Sequence, residues 1–362
     1  MLIKDLLKVI NQEIPFNTAE SWDNVGLLIG DETAEVTGIL TTLDCTIEVI
    51  EEAKNNQINT IICHHPLIFS GIKSIYANGY GKVIQALIKH DLNLIALHTN
   101  LDVHPQGVSA MIAEQLLLED IQILLPEQKQ INKLQIFVPT AHAEQLKAAL
   151  AEVGAGQIGD YDHCFFSVKG SGEFRALDNS NPFVGQKGQV HQEEELKIEC
   201  VFESHLKADI LEAIQANHPY ETPAFDILSF DIEATHGTGV KAKLSKPMQF
   251  STFAQYAKGQ LNLDVVKMIG EDKEINTVGI IGGAGVSYIK DIARQGVDVF
   301  LTGDIKYHEA HDLIMAGQAA LDITHYSEEV MKDGLKALLI NILDQEINIV
   351  ASKVNTNPFK VL

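Results

Sequence analysis

The chain has 362 residues, 46% of them hydrophobic, and a formal net charge of −22 at pH 7. This length predicts about two or three domains with cores of their own, and the excess of carboxylates disfavours direct binding to nucleic acid because it repels phosphate backbones. No apolar run is long enough to span a membrane, and the N-terminal residues lack the pattern of a secretion signal, so we expect a cytoplasmic protein without a membrane contact.

Strands and helices alternate along the first third of the chain. Amphipathic spacing predicts helices, and β-branched runs predict strands. The predicted helices cover residues 3–14, 47–55, 83–90 and 108–118, and the predicted strands cover residues 25–29, 37–43, 58–63 and 92–97. This alternation favours a parallel or mixed sheet with helices on its faces.

The predicted order of strands and helices changes near Leu124. The pattern becomes β-α-β…β-α-β, the order of a small ferredoxin-like α+β sandwich. The predicted strands are 134–138, 196–202 and 224–230, the predicted helices are 141–153 and 206–217, and a stretch rich in glycine and aromatic residues covers 154–188. A turn-forming run, His-Gly-Thr-Gly at residues 236–239, closes this region.

After this region, strands and helices alternate again as they do in the first third of the chain. The predicted helices are 251–261 and 330–343, and the predicted strands are 278–281, 297–301 and 321–324. We therefore predict an α/β fold in which one metal-binding domain is built from both ends of the chain, residues 1–126 and 236–362. An inserted α+β domain, residues 127–235, interrupts it and has a plausible size for a domain.

Three short clusters of imidazole and carboxylate lie at the ends of predicted strands. They are Cys-His-His-Pro at 63–66, His-Thr-Asn-Leu-Asp at 98–102 and His-Tyr-Ser-Glu-Glu at 325–329. An α/β sheet usually builds its site from element ends around one crevice. Each cluster also has a structural interpretation, a capped turn or a helix-surface pair, but all three together favour one or two bound metal ions. The candidate ligands are His64, His65, His98, Asp102, His325 and Glu329.

The third cluster leaves a choice between two neighbouring carboxylates. On a helix, residues three and four apart share a face, so both Glu328 and Glu329 can lie beside His325. The spacing of four aligns better, and it favours Glu329. Either Asp102 or Glu329 is placed to bridge two metals.

Nitrogen and oxygen donors without thiolate suit zinc, iron or manganese and do not select among them. The four cysteines, scattered without a Cys-x-x-Cys pair, indicate reduced thiols rather than a structural zinc site or disulfides. Two metals that share a water would create a nucleophile at neutral pH.

Several other residues carry weaker signals. Asp304 and His308 follow a predicted strand and suit either second-shell partners of the ligand histidines or a helix cap and a surface residue. The only tryptophan, Trp22, is read as the core anchor of a turn. Residues 282–285, Gly-Gly-Ala-Gly, suit a phosphate contact or, at least equally, a tight turn.

Five motifs in order resemble the GTP cyclohydrolase 1 type 2 homologue family, also called NGG-interacting-factor-like. They lie at residues 22–27, 64–66, 98–102, 302–304 and 325–329. The resemblance implies two divalent metal ions per chain, held by the six candidate ligands, in a ring-shaped homohexamer whose metal sites face an internal cavity. It also implies that residues 134–230 form an insert like the nitrogen-regulatory PII and CutA proteins.

One motif departs from the family. Where its members have Gly-x-Gly-Arg-x-Gly after the insert, residues 237–242 here read Gly-Thr-Gly-Val-Lys-Ala, so the arginine and the last glycine are missing. An anion contact at this position is therefore not expected from the motif.

Three functions remain open on this sequence. The first is a metal-dependent hydrolase of a nucleotide-like small molecule, with GTP ring opening as the activity that the resemblance implies. In it, metal-bound hydroxide is the nucleophile, and Asp44, Asp304 or His308 moves protons. The second is a metal-handling or regulatory protein, in which the metal is cargo or structural and the insert senses a ligand. The third is a scaffold that acts through protein partners.

Overall fold

The computed structural model describes residues 1–343 and 346–362, with the backbone alone at residues 128–129 and 233–234. The chain divides into two compact units. The first comprises Met1–Glu127 and Thr235–Leu362, and the second comprises Gln128–Ala234. The fold is mixed α/β with several sheets, as the alternation of strands and helices predicted.

The strands have the following bounds. They are β1 (Gly26–Ile29), β2 (Ile39–Thr42), β3 (Thr60–Cys63), β4 (Asn93–Ala96), β5 (Glu119–Pro139), β6 (Phe166–Arg175), β7 (Val190–Glu203), β8 (Phe225–Gln249), β9 (Lys267–Ile269), β10 (Glu274–Ile280), β11 (Val299–Thr302), β12 (Ala319–Asp322) and β13 (Ile349–Ala351).

The helices alternate with these strands. They are α1 (Ile3–Glu13), α2 (Ile47–Asn55), α3 (Gly79–Lys89), α4 (Thr99–Asp102), α5 (Val108–Gln115), α6 (Ala143–Glu152), α7 (Lys207–Asn217), α8 (Phe250–Gln260), α9 (Ile289–Ile292), α10 (Tyr307–Met315) and α11 (Met331–Ile342). A 3-10 helix, His325–Val330, leads directly into α11. No helix among the described residues is long and apolar enough to cross a membrane.

The first unit contains two sheets rather than the single sheet that the sequence predicted. One has the order β1–β4–β3–β2–β13, with β1 antiparallel to β4 and the other neighbours parallel. The other has the order β8–β10–β11–β12–β9, with β10, β11 and β12 parallel. The central strands are buried along their whole length, which is typical of parallel strands covered on both faces.

One apolar core joins these two sheets. Ile62 of β3 and Leu301 of β11 belong to the same cluster, together with Leu6 of α1, Ile112 of α5 and Leu335 of α11. Separate clusters cover the outer faces, one with α2 and α3 and the other with α9 and α10. Because both sheets pack on a shared layer of helices, the C-terminal ends of β3, β4 and β12 are held in one rigid unit.

The second unit is a single sheet with helices on one face. Its strand order is β6–β7–β5–β8. Leu134 and Ile136 of β5 and Ile198 of β7 pack against Leu146 of α6 and Ile210 of α7. Since side chains alternate along a strand, Phe137 and Lys197, which are paired in register, lie on the sheet face that the helices do not cover.

Several predicted boundaries differ from the structure. Strands β5 and β8 extend well beyond 134–138 and 224–230, and β6, β9 and β13 were not predicted. The predicted turn at 236–239 lies inside β8, where its glycines permit close packing instead of ending the strand. A Cβ on Gly237 would lie 2.4 Å from the carbonyl oxygen of Leu125.

A candidate metal centre

The backbone turns immediately after β3. The amide N–H groups of His64 and His65 both donate to the carbonyl oxygen of Leu43, at 3.2 and 3.0 Å. This turn lets two consecutive side chains reach one place, although a regular strand would separate them. The two imidazole rings have centroids 5.2 Å apart.

The structure brings five of the six candidate ligands together with one carboxylate that was not chosen. Ligand atoms within 4.8 Å of one another form three overlapping groups. These are His64, His65 and His98; His65, His325 and Glu328; and His64, Asp102 and Glu328.

Glu328 is shared by two of these groups, as are His64 and His65. Its Oε2 lies 3.1 Å from His65 Nε2 and 3.2 Å from His325 Nε2, and its Oε1 lies 3.8 Å from His64 Nε2. The carboxylate is almost fully buried. Its two oxygens therefore face two different sets of nitrogen atoms.

The carboxylate that lies among the histidines is Glu328, whereas the sequence spacing favoured Glu329. Residues 325–330 form a 3-10 helix rather than the start of an α-helix, and side chains three residues apart eclipse in a 3-10 helix. Glu328 is therefore aligned with His325, while the Glu329 carboxylate accepts a hydrogen bond from the Lys332 ammonium.

Every imidazole of the cluster has its Nδ1 fixed by an oxygen outside the cluster. His64 donates to the Leu97 carbonyl at 2.8 Å, and the other three donate to carboxylates. The pairs are His65 with Asp44 at 2.7 Å, His98 with Asp23 at 2.9 Å and His325 with Asp304 at 2.8 Å. These contacts leave Nε2 as the nitrogen that faces the other members of the cluster, the arrangement found around metal-binding histidines.

Two atoms of the cluster identify it as a place for a cation. His64 Nε2 and Asp102 Oδ1 are buried without a hydrogen-bond partner and lie 3.5 Å apart. Buried polar atoms are nearly always paired. Ligand atoms bound tetrahedrally at about 2.0–2.1 Å are about 3.3 Å apart, so the donor set and its spacing fit a divalent metal.

The charges of the cluster also favour a cation. Burial opposes a charge on the His65 ring, but Asp44 and Glu328 outweigh it and raise the pKa of His65 to about 10. Contact with Glu328 is the main cause of the raised pKa of His325, which is about 9. Burial would raise the pKa of Glu328, yet its contacts with the imidazoles hold that pKa well below the usual range.

The candidate catalytic residues have different surroundings. Asp44 and Asp304 each accept from a ligand histidine, and Asp44 also accepts from the Thr356 hydroxyl at 2.6 Å. Both carboxylates thus orient imidazoles. His308 lies on α10, where its ring contacts Tyr307 with centroids 5.4 Å apart.

Asp23 and Trp22 lie beside the cluster, although the sequence analysis did not select them as site residues. Asp23 holds His98 and also accepts from the backbone and hydroxyl of Thr99, at 3.1 and 2.6 Å. Trp22 is not a core anchor, because 55% of its surface is exposed. Its ring lies 6.2 Å from that of His98. Their position inside the first family motif was the only available signal.

The loops that carry His325 and its partner are unusually shaped. Thr324 has φ of +60° and Asp304 has φ of +55°, values that non-glycine residues rarely adopt. Next to Asp304 in the chain, the Gly303 amide donates to the Gly283 carbonyl at 2.7 Å. A side chain on Gly303 would lie 2.6 Å from the His325 amide nitrogen, so this glycine permits the close approach of the two loops.

The chain is similar over its whole length to proteins of one family. A family model described as Duf34/NIF3 (NGG1p interacting factor 3) matches residues 1–358. A curated protein of Staphylococcus aureus (strain COL) named GTP cyclohydrolase 1 type 2 homolog is 46% identical over 366 residues, which covers 100% of both chains. A protein with the same name from Staphylococcus epidermidis (strain ATCC 12228 / FDA PCI 1200) is 44% identical over 364 residues, covering 99% of this chain and 100% of the other.

Two solved structures are similar over the same length. The crystal structure of Staphylococcus aureus protein SA1388 has a TM-score of 0.83 and 43% identity, covering 100% of this chain and 99% of the other. The crystal structure of a Bacillus cereus protein related to NIF3 has a TM-score of 0.72 and 35% identity, with the same coverage.

Proposed function

This chain belongs to the Duf34/NIF3 (NGG1p interacting factor 3) family, and we propose that it is a dinuclear metal-dependent hydrolase of a nucleotide-like small molecule. The observation that carries the proposal is the position of Glu328. One of its oxygens faces His64 and the other faces His65 and His325, as a carboxylate that bridges two cations would.

The ligand atoms divide into two positions around this carboxylate. His64 lies on the Oε1 side, and His65 and His325 lie on the Oε2 side. Asp102 groups with His64 and Glu328, and His98 adds a third imidazole beside His64 and His65. Nitrogen and oxygen donors of this kind suit zinc, iron or manganese. A bound pair of such ions supplies Lewis acidity and lowers the pKa of water, which is the chemistry a hydrolase needs.

The protein's own residues prepare this site. Asp23, Asp44 and Asp304 hold three imidazoles in one tautomer, so that Nε2 of each ring points into the cluster. Burial of Glu328 and His64 keeps water from competing for the ligand atoms. The exposed ring of Trp22 beside His98 supports a substrate with a flat ring.

The substrate class follows from the names of the relatives. Two staphylococcal relatives carry the name GTP cyclohydrolase 1 type 2 homolog, and on that basis GTP is the first substrate to test. In this reaction the chain would open the guanine ring by hydrolysis and release formate.

Two further features belong to the same proposal. The second unit is an insert of the PII and CutA kind, which its β-α-β-β-α-β chain order and its strand order β6–β7–β5–β8 support. The family resemblance supports a homohexamer, which sedimentation velocity would detect as a particle of six chains.

The test combines metal analysis with turnover. The full chain, purified without added metal and then reloaded, is expected to hold about two metal ions per chain and to release formate from GTP. His65→Ala should lose metal and turnover, whereas His308→Ala, a histidine outside the cluster, should keep the metal. Metal without turnover would favour the metal-handling alternative, and no metal after reloading would overturn the proposal.

A further inference from the structure

The second unit contains a cavity of about 730 Å³ that is separate from the metal cluster. It lies on the sheet face opposite α6 and α7, where Phe137 lines it, and the segment from Ala176 to Phe183 contributes to its wall. Gly170 and Gly172 of β6 also line it and contribute no side chains. The volume falls within the range of small-molecule sites.

A buried carboxylate lies in this cavity. Glu195 is only 9% exposed, although charged side chains are rarely buried without a partner. Its Oε1 accepts a hydrogen bond from the Tyr220 hydroxyl at 2.9 Å. Gly172 makes room for the other oxygen, since a Cβ there would lie 2.2 Å from Glu195 Oε2.

Glu195 has no cationic partner among the side chains that the structure describes. Lys197, two residues along the same strand, pairs with Glu199 at 2.5 Å instead. Lys169 and Arg175 also line the cavity, but both are exposed. Water screens the exposed Lys169 and Arg175 charges strongly and screens the buried Glu195 charge much less. The electrostatic potential inside the cavity is therefore set mainly by Glu195.

Tyr220, which donates to this carboxylate, belongs to a group of aromatic rings that line the cavity. The Tyr220 ring lies 5.8 Å from that of Phe174 and 6.4 Å from that of Phe183. Burial and the nearby Glu195 raise the pKa of Tyr220 above its usual range, so its hydroxyl stays a donor. Faces of aromatic rings attract cations, most strongly where water is excluded.

We propose that this cavity binds a small organic cation with an aromatic ring, whose amidinium or ammonium N–H groups pair with Glu195. A hydrogen-bonded cation would compensate the buried charge, and the ring of the ligand would fill the apolar space between Phe137, Phe174 and Phe183. The site is independent of the metal cluster and of the hydrolase proposal.

Benzamidine and benzamide test the proposal on the full chain. They have nearly the same shape, but only benzamidine carries a positive charge. Its amidinium carbon bears two NH2 groups, whereas benzamide has one NH2 group and a carbonyl oxygen. Calorimetric titration or protein-observed NMR is expected to show saturable benzamidine binding that is about tenfold or more tighter than benzamide binding. Equal binding of the two compounds, or no binding of benzamidine, would overturn the proposal.

Two variants locate the site. Glu195→Gln should remove the preference for benzamidine while keeping the shape of the cavity, and Glu212→Gln, an exposed residue on α7, should keep the preference. Gly170→Leu should block both compounds, because its Cβ meets nothing within 4 Å and the side chain extends on the same sheet face as its partner Glu195. Circular dichroism checks that the Gly170→Leu chain is folded. A preference for benzamidine over benzamide that survives Glu195→Gln, or benzamidine binding that survives Gly170→Leu, would show that the cation binds elsewhere.

Discussion

Local backbone conformation determines which carboxylate lies in the candidate metal site. Glu328 and Glu329 are adjacent and chemically identical, yet one is buried between imidazoles and the other accepts from Lys332. The difference comes from the local helix type, since a 3-10 turn aligns residues three apart. Spacing alone predicted His64, His65, His98, Asp102 and His325. It could not distinguish a 3-10 turn, which aligns Glu328 with His325, from an α-helical turn, which favours Glu329.

Substitution of the two glutamates should separate a ligand from a neighbour. We expect Glu328→Gln to weaken metal binding more than about a hundredfold, because even residues that only orient ligands cost about 10–100-fold. Glu329→Gln should keep the metal, although it leaves the nearly buried Lys332 without its carboxylate and lowers stability. Metal titration and chemical denaturation measure the two effects. Equal metal loss in both variants would contradict the assignment.

The contact between Asp23 and His98 could not be predicted from the sequence. Asp23 lies 75 residues from its partner His98, and nothing in the spacing of residues 22–27 points to that histidine. Such a contact is created only when the loop before β1 meets the end of β4, so it requires the fold.

His218 should make the stability of the second unit depend on pH. Its Nε2 donates to the Phe137 carbonyl at 2.8 Å and its Nδ1 accepts from the Tyr220 amide at 3.1 Å, which fixes a neutral ring. Burial lowers its pKa below 6.5. A lowered folded pKa means that the unfolded chain binds the proton more readily. The stabilisation is therefore complete above pH 6.5 and is lost as the pH falls through the folded pKa.

Unfolding curves between pH 7.5 and pH 5 test this expectation. His218→Gln should lower stability at neutral pH and reduce the fall towards acid, while His205→Gln, at an exposed position, should leave the curve as it is. An unchanged acid dependence in His218→Gln would show that other groups control it.

In the first unit, the candidate metal ligands follow the ends of strands rather than lying within them. A buried strand such as β3 could be predicted from its β-branched run, and the polar residues after it lie at the cluster. Strand β12 begins two residues before the predicted strand 321–324, because its first two residues are alanines rather than β-branched residues. The outer part of β5 was missed because it contains Pro126 followed by a polar run, and the outer part of β8 was missed because it contains glycines. In β8, Gly237 and Gly239 serve close packing, whereas glycine in a sequence is usually the sign of a turn.

Gly303 should be essential to the loop that holds Asp304 and His325. A methyl group there would lie 2.6 Å from the His325 amide nitrogen and 2.7 Å from the Gly283 carbonyl oxygen. We expect Gly303→Ala to cost about 1–3 kcal/mol of stability through overpacking and to weaken metal binding by moving His325.

Gly259 provides the matched control for this substitution. It lies in α8, and a Cβ there meets nothing within 4 Å. Gly259→Ala should therefore keep the metal and gain about 0.5–1 kcal/mol. If Gly303→Ala bound metal as the wild type does, the loop would not depend on this contact.

The division of the chain into two units has a direct consequence for the cluster. All of its ligands and the carboxylates that orient them belong to the first unit. The change from α/β alternation to a β-α-β…β-α-β pattern could be seen in the sequence. The presence of two sheets in the first unit could not, because strand pairing across 100 or more residues leaves no local signal.

Replacement of residues 130–232 by a short glycine-serine linker tests this separation. We expect the shortened chain to bind metal with the stoichiometry of the full chain, and His65→Ala in the shortened chain to abolish it. Metal analysis of folded, monodisperse protein is the measurement. Loss of metal in a shortened chain that is otherwise folded would show that the second unit contributes to the cluster.

The discontinuity of the first unit also has a consequence during synthesis. His64, His65, His98 and Asp102 leave the ribosome early, whereas His325 and Glu328 follow only after residues 103–324 have been added. At about 5–20 residues per second, that interval is on the order of ten seconds or more. A nascent chain can thus offer a cation His64, His65, His98 and Asp102 but neither His325 nor Glu328, so the full set of candidate ligands exists only after residue 328 has been added.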